Sequence, residues 1–430
     1  MSGQDRGSLH LRGGTLGAVS GAMRTPPPRG LDRLSVWNVF AGSGQPGTPV
    51  GPRSLGARGQ ALDDDLLART VAVAEGLERY ASRAFGRNHH DHIWALERHL
   101  PGAVIETKNL PRCSDSELGA SARAVVPYDP DREIRWVRGF DVIQRCETWV
   151  PACMVNRGLP DPTDAERFAA GGSTGFAVHT DYREACIGAL SEAAERDVAA
   201  LTWLQRLSLP PLREQTTERL AYLLEWSEDH FISTRLFDAT SDVGVPTVYA
   251  LQFADHDPWY GQLVGAATGR SLAVAAEKAV LELISFRSHP GTPAAVPRSV
   301  EEITGVLDGA RYMGQVERRH AFDFLATPAA PLAARRVVAP LPPEPEAALA
   351  ELVARLAEVC DQAVIVNITT RELRACGTSA VAVVVPELQP LSLNPYAQFK
   401  AHPRLYRGPA AMGYESRQEW DLNPWPQPFP

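Results

Sequence analysis

The chain has 430 residues, enough for two or three domains or one large elaborated domain with a sizeable core. Its 43 Lys and Arg against 51 Asp and Glu leave a formal charge of −8, which excludes binding that rests on neutralising a phosphate backbone. Hydrophobic residues at 44% and charged residues at 22% fit an ordinary folded soluble protein. The longest apolar runs, such as Ala380 to Val385, are far below bilayer length, and residues 1–14 lack the apolar centre of a signal peptide. The expectation is a cytoplasmic protein with neither nucleic acid nor membrane as partner. Cys113, Cys146, Cys153, Cys186, Cys360 and Cys376 form no Cys-x-x-Cys pair and no compact Cys/His quartet, so reduced thiols are expected.

Gly and Pro interrupt the first sixty residues, most sharply at Pro26-Pro27-Pro28, and predict short strands and turns, with Leu34 to Phe40 a strand. From Asp63 to Ala84, Leu66, Thr70, Val73, Leu77 and Tyr80 recur at three- and four-residue steps behind an acidic first turn, which predicts a helix. Strands are expected at Ala103 to Glu106, Arg135 to Val137 and Thr148 to Val155. Gly171-Gly172-Ser173-Thr174-Gly175 then leads through a short strand to a second long helix with the stripe Ile187, Leu190, Ala194, Val198 and Leu201. Arg235 to Asp238 and Thr247 to Gln252 predict a strand pair around Asp242-Val243-Gly244-Val245-Pro246. A third helix runs from Ser271 to Phe286 and a fourth from Glu346 to Cys360. Ala363 to Ile368 and Ala380 to Val385 are apolar enough for strands buried on both faces. Ser288 to Pro297 and Ala326 to Pro345 read as linkers or surface loops, and the chain after Pro386 as irregular. The fold class is mixed α/β, strands interleaved with long helices.

Two of those helices repeat one acidic pattern. Glu75-Gly76-Leu77-Glu78-Arg79 and Glu192-Ala193-Ala194-Glu195-Arg196 both read Glu-x-x-Glu-Arg, and three steps of about 100° set the carboxylates about 60° apart on one face. One copy alone is an ordinary solvated helix face. Two copies, with Glu282 and Arg287 on the third helix, suggest a shared pocket. Up to five converging carboxylates would repel one another, and a divalent cation removes the conflict. Oxygen-only donors suit Mg²⁺, which keeps waters and bridges carboxylates to phosphates. Arg79 and Arg196 would fork phosphate oxygens, and the turn at Ser173 would add backbone donors, so the natural ligand is a nucleoside triphosphate. No Gly-x-x-x-x-Gly-Lys-Ser/Thr loop and no dinucleotide fingerprint is present, which leaves a site of helix-carboxylate kind. His89-His90-Asp91-His92 with His99 reads as a polar surface loop, and Cys186 as packing. At the other end, Pro424-Trp425-Pro426-Gln427-Pro428-Phe429-Pro430 alternates Pro to the carboxyl terminus, a stiff extended rod with the Pro430 carboxylate at its tip.

In this order the motifs resemble the YcaO family, specifically its azoline-forming cyclodehydratases of ribosomally made thiazole/oxazole peptides. The resemblance rests on Glu75-x-x-Glu78-Arg79-Tyr80, on Ser173-Thr174-Gly175-Phe176-Ala177 leading to Ser191-Glu192-x-x-Glu195-Arg196-Asp197, and on Trp203. It continues through Asp238-x-Thr240-x-Asp242-x-Gly244-x-Pro246, Val385-Pro386-Glu387-Leu388-Gln389-Pro390-Leu391 and the terminal prolines. It implies a YcaO fold whose acidic helix faces line an ATP/Mg²⁺ site. Glu75, Glu78, Glu192, Glu195 and Glu282 would be the metal ligands, and Arg79, Ser191, Arg196, Ser173 and Arg287 would serve the nucleotide. Pro426, Pro428 and Pro430 would bring the chain's end into the active site. The implied layout is a strand-and-turn region over 1–60, a catalytic domain over 61–400 and a tail over 401–430. A precursor peptide is the implied substrate, with a separate leader-binding protein, an FMN-dependent dehydrogenase where azolines are oxidised, and a homodimer. Thioamide or amidine formation, or a non-catalytic scaffold, are the alternatives. Thr174, Ser285 and Asn367 depart from the residues many relatives carry in the Ser-Asn-Gly turn, after the third-helix Glu and in the late Asp-Leu-Thr, and these departures bear on the fine geometry of the nucleotide site.

Overall fold

The computed structural model describes residues 18–42, 56–84, 92–119, 125–169, 172–212, 217–288, 295–326 and 338–430. The His89-His90-Asp91 run, Gly171 and most of the two expected linkers lie outside these. In chain order the elements that position the site are strands β1 (Met23–Thr25), β2 (Leu34–Phe40) and β3 (Gly56–Leu62), helix α1 (Asp65–Ala84), β4 (His92–Ala95), β5 (Ala103–Val104), β6 (Ile134–Asp141), β7 (Cys146–Pro151), β8 (Phe176–His179) and the 23-residue α2 (Tyr182–Leu204). They continue with α3 (Glu218–Asp229), β9 (Ser233–Asp238), β10 (Thr247–Phe253), β11 (Gln262–Thr268), α4 (Leu272–Arg287), α5 (Asp308–Met313), α6 (Pro345–Ala357), β12 (Val364–Asn367), β13 (Ser379–Val384) and α7 (Arg404–Ala411).

The chain divides into two compact units. One comprises Met1–Thr107, Tyr128–Leu190 and Asp361–Pro386; the other comprises Lys108–Pro127, Ser191–Cys360 and Glu387–Pro430.

The first unit holds an antiparallel sheet β1-β2-β3 and a seven-stranded sheet of order β5-β7-β6-β12-β13-β8, with β4 also paired to β6. Helix α1 packs on β3 and β2. Its buried face is Ala68, Ala72, Val73, Gly76, Leu77 and Ala81, whereas Leu66 and Thr70, expected on the stripe, are exposed. The small residues at 68, 72 and 76 follow one another at four-residue steps, so backbone closeness to the sheet, not side-chain bulk, selects this face. The strand expected to continue to Val155 ends at Pro151, where a single helical turn, Ala152–Val155, begins. β12 and β13 are apolar and nearly all buried, as their sequences suggest. A buried ion pair ties this unit further: Arg135 donates from Nε and Nη2 to both oxygens of Glu166, each at 2.7 Å. Burial pushes the Glu166 carboxyl up, but the Arg135 hydrogen bond and backbone N–H donors outweigh it and hold it below the usual range.

The second unit is built on the antiparallel sheet β11-β10-β9. One face takes α4, with Leu283 against Gly265. The opposite face is the apolar core: Tyr249, Leu251, Val264 and Ala266 meet Trp203 and Leu204 of α2, Met313 of α5, Phe322, Leu405 of α7, and Phe429 from the terminal residues. The stripe predicted for α2, Ile187 to Leu201, is buried throughout. Helices α3 and α7 lie where no helix was expected. The six cysteines are free thiols; burial raises Cys186 to about 11, which keeps it protonated and inert.

Candidate functional site

In the second unit Glu192, Glu195 and Arg196 share a face of α2, and Glu282 of α4 acts on the same guanidinium. Burial pulls Arg196 down, but the carboxylates of Glu195, Glu192 and Glu282 outweigh it and leave the cation firmly charged. The contacts are long: Arg196 Nε lies 3.6 Å from Glu192 Oε1, and Nη2 lies 3.7 Å from Glu195 Oε1. Charge-assisted bonds in place close to about 2.7–2.9 Å. A half-buried guanidinium so loosely held among three carboxylates retains donors for an incoming anion. Glu195 is the most committed of the three: it is 6% exposed, and its Oε2 accepts the Thr268 backbone N–H at 2.7 Å and hydroxyl at 3.1 Å at the end of β11. Sequence spacing placed it off the apolar stripe, and it is buried nonetheless because the strand end supplies its partners.

One residue further along α2, Asp197 belongs to a different arrangement. Arg404 donates to Asp197 at 2.7–3.2 Å and to both oxygens of Asp242 at 2.7 and 2.8 Å, while Asp197 Oδ1 also accepts the Gln389 backbone N–H at 2.8 Å. Burial alone would lower Arg404, yet the two carboxylates raise it. This clamp joins α2 to the Asp238–Pro246 turn and to the Glu387–Gln389 segment. It was invisible in the sequence, where Arg404 and Asp197 stand 207 positions apart. Asp242 was legible only as a member of its motif.

Beside the clamp, His402 is 2% exposed and neither ring nitrogen meets a partner in hydrogen-bonding geometry. Burial drops its pKa to about 4; the Arg404 and Arg112 guanidiniums add to this, and the nearby carbonyls of Glu387 and Leu388 oppose it. Above pH 6.5 the imidazole is neutral folded and unfolded. Below 6.5 the unfolded chain takes up a proton that the folded one refuses until about pH 4, so stability falls across that window. His402→Asn is expected to remove this acid loss, worth about 3 kcal/mol at pH 4. Urea midpoints at pH 7, 5.5 and 4.5 in both proteins check it.

In the first unit Glu75, Glu78 and Arg79 lie half-buried on α1. Arg79 pairs with Glu75 and also donates to the Gly56 carbonyl, and Glu75 Oε2 accepts the Arg58 backbone N–H at 2.9 Å. Gly76, inside the motif, faces inward: a Cβ there would stand 2.7 Å from Val39 Cγ2 and 2.8 Å from Val19 Cγ1, so only glycine lets the helix approach β2. Ser173 is exposed, ahead of Gly175, whose φ of +81° and closeness to Val383 admit only glycine. Ser191 is half-buried on α2.

Arg287 makes contacts of its own at the end of α4. It donates to Gln252 Oε1 at 2.9 Å, to Asp257 at 2.8 Å and to the Tyr260 carbonyl at 2.5 Å. Its donors close the end of α4 onto β10, and it is not among the groups acting on Arg196. Among the described residues no three His, Cys, Asp or Glu side chains stand together as a ready metal-binding group. The donors present fit Mg²⁺ in kind, since Glu192 and Glu282, which both act on Arg196, are hard oxygen ligands, and Mg²⁺ needs only one or two protein carboxylates beside phosphates and water. Pro426, Gln427, Pro428 and Phe429 are buried, and Pro430 is partly exposed. No described helix is long and apolar enough to cross a membrane.

A comparison with curated proteins found no match. Among solved structures the chain is similar to a heterocyclase in complex with substrate and cofactor, at 19% identity and a TM-score of 0.77 over 100% of this chain and 57% of that one. It is also similar to YcaO from Methanopyrus kandleri bound with AMPPCP and Mg²⁺, at 18% identity and a TM-score of 0.59 over 90% and 88% of the two chains. A third match is the E. coli microcin synthetase McbBCD complex, at 13% identity and a TM-score of 0.64 over 95% and 96%. The chain thus spans little more than half the length of the substrate-bound heterocyclase. These identities speak for a shared fold. In sequence, the family profile described as YcaO cyclodehydratase, ATP-ad Mg2+-binding, matches residues 59–389. That match covers most of the chain, and the chain belongs to the YcaO cyclodehydratase family.

Proposed function

We propose that the protein is an ATP- and Mg²⁺-dependent cyclodehydratase that converts Cys, Ser or Thr residues of a ribosomally made precursor peptide to thiazolines and oxazolines. The observation that carries this reading is Arg196, charged and loosely held among Glu195, Glu192 and Glu282 within a chain of this family. Glu192 and Glu282 would hold the metal with Glu195, and Glu75 and Glu78 keep the ligand role implied by the resemblance. Mg²⁺, when bound, neutralises the charge of the triphosphate. Arg196 would fork the oxygens of the transferring phosphoryl group, Arg79 and Ser191 would support the nucleotide, and Ser173 would lend backbone donors. Arg287, whose Nε and Nη1 are held by Gln252 and Asp257, would serve the nucleotide by fixing Glu282's helix.

The chemistry calls for this division of labour. The peptide thiol or hydroxyl loses its proton as it adds to the preceding amide carbonyl. The amide oxygen then attacks the γ-phosphorus and ADP departs. Loss of phosphate, with the amide N–H proton, leaves the C=N of the azoline. An amide oxygen is a poor leaving group until it is phosphorylated, and guanidinium placed where charge develops lowers that barrier. The Pro430 carboxylate, at the end of a held segment, would accept one of the two protons.

The partners follow from the same reading: a separate leader-binding protein, an FMN-dependent dehydrogenase where azoles are made, and a homodimer, all in the cytoplasm. The E. coli synthetase similar to this chain was solved as a McbBCD complex, which supports an assembly. Purified protein with its partner, peptide, ATP and Mg²⁺ tests the proposal by mass. Loss of one water per ring supports it; exchange of oxygen for sulfur, or no change of mass, overturns it.

A further inference from the structure

The terminal segment lies in a seat that its own prolines and the core of the second unit build together. Trp203, near the end of α2, donates its indole N–H to the Trp425 carbonyl at 3.1 Å. At the helix end the Trp203 carbonyl, which also takes the Arg206 backbone N–H at 3.3 Å, accepts the Asn423 side-chain N–H at 3.1 Å, and the Leu204 carbonyl accepts the Asn423 backbone N–H at 2.8 Å. The helix that bears Arg196 therefore ends on the tail. Beyond this point the chain crosses α5 at Gly309, where a Cβ would stand 2.4 Å from the Gln427 carbonyl oxygen, so any side chain there displaces the crossing. Phe429, 2% exposed, then meets Tyr249 of β10 edge-to-face, with centroids 5.5 Å apart and planes at 85°. Tyr312 and His320 flank Trp425. Pro426 and Pro428, both buried, have no N–H, so residues 426–429 can be buried here without stranding a donor at every second residue.

We infer that Gly309 and Trp203 are positioning residues: they fix the terminal rod, and through it the place of the Pro430 carboxylate, without touching nucleotide or peptide. The catalytic part of this inference rests on the tail's role proposed above; the seat itself does not. Pro430 directly follows the Phe429 anchor, so a shift at Gly309 passes to it with little slack, and a misplacement of about 1 Å at a reacting group costs on the order of 100-fold.

The test uses the full chain with its partner and peptide. Gly309→Val removes the crossing space, and Trp203→Phe removes one hydrogen bond while keeping the aromatic packing, so it carries the test should the first variant not fold. Hydrogen exchange of the Leu422–Pro430 peptide is expected to quicken about 10-fold or more in either variant, as local opening is eased. The kcat for azoline formation is expected to fall about 10-fold or more, with the KM for ATP within about two-fold of the parent. Unchanged exchange in both variants overturns the seat. Faster exchange with unchanged kcat overturns the positioning role. Should the parent protein form no azoline at all, the proposed activity fails, while the exchange result still decides the seat.

Discussion

Arg196→Met is expected to lower kcat/KM for ATP by about 10²–10³ in peptide-dependent phosphate release, the range lost when one preorganised charge at a transition state is removed. The thermal midpoint should move little, because the guanidinium is held at 3.6 and 3.7 Å and anchors no backbone. This separates it from the Arg404 clamp, whose contacts of 2.7–3.2 Å tie three segments together. Removing Arg404 would leave the buried Asp197 and the half-buried Asp242 without their cation and cost stability first. Arg196→Lys should recover only part of the loss, since an ammonium supplies the charge but not the planar fork that suits a phosphate. If Arg196→Met retains parental turnover, the acidic face of α2 and α4 is structural and the nucleotide site lies elsewhere.

Deleting residues 426–430 is the second large perturbation. Ring formation is expected to fall by about 100-fold or more, because the Pro430 carboxylate goes with the segment that positions it. Nucleotide affinity should persist, since Glu192, Arg196 and Glu282 are untouched. The deletion also empties the site of Phe429 in the core, and truncating a buried Phe costs about 3–5 kcal/mol, so activity is to be read well below the lowered thermal midpoint. Phe429→Leu is the control, keeping most of the buried volume and the terminal carboxylate. Full ring formation by the truncated protein at a temperature where it is folded would remove the tail from the mechanism.

The parts of this account that could be read in the sequence are those set by local periodicity. The stripe of α2, the apolar strands β12 and β13, and the repeated Glu-x-x-Glu-Arg pattern all follow from spacing along one element. Where closeness of backbones decides, the reading slipped. The buried face of α1 is marked by Ala68, Ala72 and Gly76, which a hydrophobic stripe weighted toward Leu66 and Thr70 passes over. Helix α3 carried a usable sign, Thr217, whose hydroxyl caps it by accepting the Leu220 N–H, but its pattern did not stand out from the surrounding polar residues. Long-range polar pairings left no trace at all: nothing near Arg404 or Gln389 announces Asp197, and nothing near Arg287 announces Asp257 and Tyr260. The alternating Pro of the tail was plain in the sequence. Its seat was not, because Gly309 and Tyr249 acquire meaning only once the chain has folded back over them.

The central claim is that the acidic face around Arg196 takes a magnesium-bound triphosphate. Calorimetric titration of the protein with a non-hydrolysable ATP analogue, with Mg²⁺ and with Mg²⁺ chelated, addresses it directly. The account predicts saturable uptake that requires Mg²⁺ and weakens about 10-fold or more in Glu282→Gln, where one hard oxygen ligand is lost. Uptake that is indifferent to both the metal and that substitution would contradict it.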